Sequence, residues 1–181
     1  MNVTNFEIEG LVLVEPRIFR DDRGLFFESF NQNKYGEFIG KEVSFVQDNI
    51  SVSKKGVLRG LHFQLPPFAQ GKLVSVIKGS VLDVAVDLRK SSPTYGQHHI
   101  VELSEQNKLQ FWIPPGFAHG FVSLEEDTVF SYKCSHYYSP EHEKTLLWND
   151  RSLAIDWGIN DPIVSEKDKI GEEFSNFASP F

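Results

Sequence analysis

Short runs of β-branched, aromatic and Leu residues recur along this chain between Gly, Pro, Asn and Asp positions, the rhythm of strands and tight turns. Leu11 to Val14, Leu25 to Phe30 and Phe45 to Val52 open the series. It becomes denser with Val57 to Gln64, Lys72 to Ile77, Val81 to Leu88, His99 to Leu103, Gln110 to Ile113, Phe121 to Leu124 and Thr128 to Ser135. Alternation is clearest between Ser80 and Asp87, where Leu82, Val84 and Val86 share one parity and Asp83, Ala85 and Asp87 the other. Such a strand has one face in the core and one partly polar face. Helical patterning is sparse. Gln32–Gly40 fits one helix, with Gly40 as a stop, and Ser165–Glu173 a second, with Ser165 and Asp168 resembling a helix N-terminus. No repeat, low-complexity tract or linker divides the chain. Many evenly spaced strands require closure of their edges, so the pattern predicts a single all-β domain over 1–181, a barrel or jelly roll with a few short helices.

Composition narrows the function. The 181 residues carry 18 Lys+Arg against 25 Asp+Glu, a net charge of −7. With a pI near 5.4 and no basic block, nucleic-acid binding is excluded as the main activity, although a few local bases can still hold a single nucleotide. A hydrophobic content of 40% and a mean hydropathy of −0.28 exclude both disorder and a membrane protein. The one cysteine, Cys134, rules out an intrachain disulfide and a multi-thiolate zinc site, and fits a reducing, cytoplasmic location. Met1 to Glu9 lacks the basic and apolar regions of a signal peptide.

Two segments carry candidate chemistry. In Val57-Leu-Arg-Gly-Leu-His-Phe-Gln64, strict alternation places Arg59 and His62 on opposite faces, so a shared pocket requires a bulge or twist, for which Gly60 is the natural position. A surface arginine and a hydrogen-bonded core histidine fit the same run equally well. In Ile113-Pro-Pro-Gly-Phe-Ala-His-Gly-Phe121, a Pro-Pro-Gly turn delivers His119 to the start of the next apolar strand. Pro114, Gly116 and His119 match the second motif of the cupin superfamily. The first cupin motif has His-x-His and a later Glu that bind a metal together with the second-motif His. Here Gln64 stands in place of the second His, and Gln70 and Lys72 are the polar groups where the Glu would fall. Two imidazoles and a cation make a poor metal site, so no metal is expected and His62 and His119 are left free to handle protons. His98, His99, His136 and His142 read as surface residues.

Beyond these segments, Phe19-Arg-Asp-Asp-Arg-Gly-Leu-Phe-Phe-Glu-Ser-Phe30, Phe45-Val-Gln-Asp-Asn49, Gln70-Gly-Lys-Leu-Val74, Tyr137-Tyr-Ser-Pro140 and Leu147-Trp-Asn-Asp150 resemble, jointly and over nearly the whole chain, the dTDP-4-dehydrorhamnose 3,5-epimerase family of metal-independent cupins. The resemblance implies a double-stranded β-helix core, a homodimer, no cofactor, and a cytoplasmic step in making dTDP-L-rhamnose from dTDP-4-keto-6-deoxyglucose. It makes His62 the base, oriented by Asp168, Tyr132 the acid on the opposite face, and Lys72 the cation near the C4 oxygen. Asp83 and His119 form a possible second dyad. Arg59 and Arg23 suit the diphosphate, with Arg23 reaching across the dimer interface. Glu28, Gln47, Asp48, Asn49, Tyr138, Glu143 and Lys167 match further substrate-contacting positions, with Tyr138 stacking on thymine.

Each of these residues also has a bland reading. Lys72 can be a solvated strand-end lysine, Tyr132 a half-buried aromatic, and Asp168 a helix-terminus acid. Three other functions stay open: a mono-epimerase or 3,4-ketoisomerase of the same kind, a non-catalytic cupin that binds sugar nucleotides, and a metal-dependent cupin, which Gln64 and Lys72 disfavour.

Overall fold

The alternating segments pair as strands, and the computed structural model, which describes residues 1–181, arranges most of them in two facing sheets. In chain order the elements are β1 (Asn2–Asn5), β2 (Val12–Glu15), β3 (Ile18–Asp21), β4 (Gly24–Phe27), α1 (Gln32–Ile39), β5 (Gln47–Ser53), β6 (Val57–Gln64) and β7 (Lys72–Lys78). There follow β8 (Ser80–Asp87), β9 (His98–Ser104), β10 (Gln110–Ile113), β11 (Phe117–Ser123), β12 (Thr128–Cys134), β13 (Glu143–Thr145), β14 (Ile163–Val164) and α2 (Glu166–Lys169). The first sheet runs β1-β2-β10-β7-β12-β5 and the second β13-β6-β11-β8-β9, with β14 parallel to β6. Strands β3 and β4 form a separate hairpin. From β5 to β13 the chain changes sheet at every connection except β8–β9, the winding of a jelly roll.

Three apolar clusters hold these layers together. Between the sheets, Val74, Val76, Phe111, Ile113 and Phe130 meet Val81, Ala85, Val101, Phe117 and Phe121. On the outside of the second sheet, Leu58, Leu61, Phe63, Val84 and Val86 are covered by Leu146, Leu153, Trp157 and, more loosely, Phe174, Phe177 and Phe181. Outside the first sheet, α1 lays Tyr35 and Ile39 on Val12, Val14, Leu73 and Trp112. Asn31 caps α1, its side chain accepting the N–H groups of Asn33 and Lys34.

Three expectations change in detail. Both faces of β8 are buried, so the parity of Asp83, Ala85 and Asp87 looks into the molecule rather than toward solvent. His119 lies in the middle of β11, not at a strand start, because the pairing Phe117↔Asp87 begins as soon as the turn at Gly116 ends. Only Glu166–Lys169 of the second expected helix is helical. Glu172 exchanges backbone hydrogen bonds with Thr145 and Leu147, and Gly171 packs so tightly on Leu146 that a Cβ would meet the Leu146 carbonyl carbon at 2.6 Å, which pulls the chain out of the helix. No helix is long and apolar enough to cross a membrane.

Candidate active site

The site begins with one extra residue. On β11, His119 and Phe121 are two apart, yet their partners on β6, His62 and Arg59, are three apart, so β6 carries a bulge between them. Below the bulge Leu58 faces the outer cluster; above it Leu61 and Phe63 do, although their parity is opposite. Arg59 and His62 therefore reach the same cavity. Gly60 permits this. Its φ is +137°, and a Cβ there would lie 2.5 Å from the Cα of Gly120.

The cavity measures about 470 Å³ and lies between the sheets. From the second sheet come His62 and His119; from the first come Lys72, on the parity of Val74 and Val76, and Tyr132, on the parity of Phe130. His62 Nε2 lies 2.5 Å from Asp168 Oδ1, and the Asp168 side chain is 4% exposed. His119 Nε2 lies 3.0 and 2.9 Å from the two oxygens of Asp83, itself wholly buried. Phe130 stacks on Phe121, centroids 4.1 Å apart, and lies near-parallel to the His119 ring, making an apolar floor. Lys72 Nζ is 3.5 Å from the His62 carbonyl oxygen.

Burial and charge tune these groups in different directions. Burial alone raises the Asp168 carboxyl, but the hydrogen bond and charge of His62, with the Ser165 hydroxyl and the Gly60 N–H beside it, hold it below the ordinary range. Burial pulls Lys72 down, against the pull of Cys134, Asp83 and Glu143. Burial also lowers His119, and here it outweighs the attraction of Asp83. Tyr132 is pushed up, first by burial and then by Cys134, with Arg59 opposing.

A second chamber of about 280 Å³ shares His62, Lys72 and Tyr132 with the first and adds Gln47, Asn49, Gln64, Gln70, Cys134, Tyr138 and Glu143. At its rim Glu143 Oε2 accepts from Tyr138 Oη at 2.7 Å and pairs with Lys167 Nζ at 2.5 Å. Those two contacts outweigh the upward push of burial and leave the Glu143 carboxyl lowered.

The comparisons with known proteins bear on this geometry. The family model described as dTDP-4-dehydrorhamnose 3,5-epimerase matches residues 5–176. The chain belongs to this epimerase family. A dTDP-4-dehydrorhamnose 3,5-epimerase of Pseudomonas aeruginosa is 54% identical over 177 residues, 97% of each chain, and one of Shigella flexneri 53% identical over 174 residues, 96% of each. A solved dTDP-6-deoxy-D-glucose-3,5-epimerase of Legionella pneumophila, in complex with dTDP-4-keto-L-rhamnose, superposes with a TM-score of 0.93 at 49% identity, covering 98% of this chain and 94% of that one. The two facing sheets are the cupin-type jelly roll of these epimerases, and the chain is an isomerase.

Of the epimerase-family positions matched in sequence, the structure gathers His62, Asp168, Lys72, Tyr132, Arg59, His119, Asp83, Gln47, Asn49, Tyr138, Glu143 and Lys167 around these two chambers. Three stand apart. Asp48 points out of the opposite face of β5 and pairs with Lys133 at 2.9 Å, because strand alternation puts it on the other side from Gln47 and Asn49. Arg23 sits in the β3–β4 hairpin, its side chain 90% exposed and bound to Asp21. Glu28 pairs with Lys34 at 2.9 Å beyond that hairpin. The four histidines expected at the surface are all half-buried: Phe6 covers His99 at 3.9 Å, Phe68 packs on His136 and His142, and burial lowers His98 and His99. Sequence reasoning missed Ser51, Phe121, Phe130 and Ser165 as lining residues. Ser51 shared a readable signal with Gln47, Asn49 and Ser53, all polar and all of one parity on β5.

Proposed function

We propose that this epimerase inverts C3 and C5 of dTDP-4-keto-6-deoxy-D-glucose to give dTDP-4-keto-L-rhamnose. The observation that carries this reading is the placement of a base and an acid on opposite walls: His62 on one sheet, backed by Asp168 of α2, and Tyr132 on the other. Both C3–H and C5–H lie α to the C4 ketone. His62 takes one of these protons, and the electron pair moves into an enolate whose C4 oxygen is stabilised by Lys72. Tyr132 then gives its proton to the same carbon from the other face, which inverts it. Each inversion leaves a proton on His62 and a phenolate at Tyr132, and exchange with solvent resets both. Asp83 orients His119 as a second dyad beside the sugar. Arg59 meets the diphosphate, Gln47, Asn49, Glu143 and Lys167 meet the nucleotide sugar, and Tyr138 stacks on thymine.

The whole of 1–181 acts as one domain, and two copies form a homodimer. An outer patch of the first sheet supports this: Ile50 and Val52 of β5 are 65% and 61% exposed, Ile77 is exposed on β7 across the intervening β12, and α1 does not pack on them. The same dimer gives Arg23 and Glu28 a use, since each lies away from its own cavity and can complete the partner's. We place the enzyme in the cytoplasm, in keeping with its single, unpaired Cys134.

The test is incubation with dTDP-4-keto-6-deoxy-D-glucose in deuterated water, with a coupled reductase to trap the product. Deuterium at both C3 and C5 is expected. Label at one carbon makes the chain a mono-epimerase, and no label removes the reading. His62→Ala and Asp168→Ala are expected to abolish turnover while the circular dichroism spectrum stays that of the parent.

A further inference from the structure

Tyr138 stands on a segment that has little packing of its own, whereas its partner Glu143 opens β13 and is held in the ladder opposite Gln64. Tyr137 and Tyr138 are 63% and 53% exposed, and Ser135–Pro140 belongs to no strand or helix. Side chains reaching out from the strands beneath hold this segment instead. Gln64, only 3% exposed, uses its whole amide on it and on the turn alongside: Nε2 donates to the carbonyls of Phe68 at 2.6 Å and Tyr137 at 3.2 Å, and Oε1 accepts the Ser139 N–H at 2.8 Å. Gln70 Nε2 donates to the His136 carbonyl at 2.7 Å, and Gln47 Oε1 accepts the Tyr138 N–H at 2.9 Å. Phe68, fixed by Gln64, packs on the rings of His136 and His142. A primary amide has two donors and an acceptor, the set needed to pair two carbonyls and an N–H at once.

We propose that Gln64 is a positioning residue that tethers this segment, setting Tyr138 against the strand-held Glu143 where the nucleotide enters. Its effect is on substrate affinity, not on the proton transfers two residues away at His62. The proposal rests on the reading of Tyr138 and Glu143 as nucleotide contacts. Its counterpart in binding terms is a preordered platform, which spares the complex the entropy of arranging two tyrosines on each encounter.

Gln64→Glu preserves shape and the bond from Ser139 but turns a carboxylate oxygen toward the Phe68 and Tyr137 carbonyls. KM for the keto sugar nucleotide is expected to rise about tenfold with kcat within about twofold. Amide exchange at Tyr138 and Ser139 is expected to quicken while exchange in β6 and β11 stays unchanged. In a Tyr138→Ala background the same substitution is expected to add little, because the side chain it orients is gone. An unchanged KM, or a fall in kcat at constant KM, overturns the proposal. Tyr138→Ala alone tests the nucleotide reading: unchanged dTDP affinity removes that reading, and the exchange rates then decide the tether by themselves. Should Gln64→Glu fail to fold, Gln70→Leu removes one tether from a less buried position and is expected to give a smaller KM rise of the same kind; no rise there overturns the proposal.

Discussion

Tyr132 and His62 approach the cavity from different sheets, and their surroundings divide the work between them. Tyr132 is a phenol raised by burial, reluctant to ionise unless the carbon in front of it demands a proton. Tyr132→Phe is therefore expected to leave His62 able to exchange the substrate's α protons with solvent. Deuterium enters the unreacted sugar, while formation of inverted product falls about 10²- to 10⁴-fold; NMR of the recovered substrate reads both, and loss of exchange together with inversion would count against the division of roles. Asp168 could be read from sequence as a helix-terminal acid, and it is one, since its N–H meets the Ser165 hydroxyl. Its partnership with His62 lies 106 positions away in the chain and entered only through the family resemblance. Lys72 was legible in part: it shares parity with Val74 and Val76, but a lysine ending a strand offers no sign of whether it turns back to water. The histidines at 98, 99, 136 and 142 misled because their sequence neighbours are polar while their covers, Phe6 and Phe68, come from elsewhere in the chain.

At the scale of elements, the bulge in β6 is the feature that sequence reasoning located correctly. Two candidate residues at odd spacing with a glycine between them leave few other ways to share a pocket, and Gly60 with Gly120 packed against it is the result. Gly60→Ala must place a methyl on the Gly120 backbone at a φ that alanine avoids. The expected loss is at least about 2 kcal/mol in urea unfolding, with epimerase activity falling further than the folded fraction does; a variant as stable and active as the parent would show that the bulge tolerates a side chain. Strand β5 inverts the usual reading. Its apolar parity, Ile50 and Val52, is exposed, whereas Gln47, Asn49 and Ser51 line the chambers. A hydrophobicity pattern finds that strand but assigns its faces backwards, because it cannot know that the interior here is a polar site.

Across the whole molecule, buried titratable groups set how stability responds to acid. His98, His99 and His119 are lowered from the ordinary imidazole value of 6.5, each chiefly by burial. The unfolded chain takes up protons on them before the folded one does, so stability declines as pH falls below about 6.5. Asp87, Asp150 and Asp168 are lowered as well, their hydrogen bonds outweighing burial. Their contribution is intact above the ordinary carboxylate value of 3.8 and is lost as pH falls through the folded values. The expected profile is a fall in unfolding free energy between about pH 7 and 5, then a second below about pH 4. Denaturant titrations across that range check it, and a flat line from 7 to 5 would contradict the histidine assignment. The longer strands, the all-β class and both helix starts were legible because they depend on local pattern; the short strands β1, β3, β13 and β14 were not, nor was the layering of three apolar clusters, which depends on which faces the long returns of the C-terminal segment cover.

Lys72 occupies a place that the valines beside it mark as interior, next to a cavity of about 470 Å³ that the two sheets do not close. Methionine would fit the same volume without a desolvated ammonium, so Lys72→Met is expected to raise unfolding free energy by about 1–2 kcal/mol while epimerisation collapses. Calorimetry beside a turnover assay decides it, and a lower melting temperature would mean that the lysine is structural. A population of this protein selected for heat resistance alone would be drawn toward an apolar residue at position 72. Only continued demand for the sugar product keeps the lysine there.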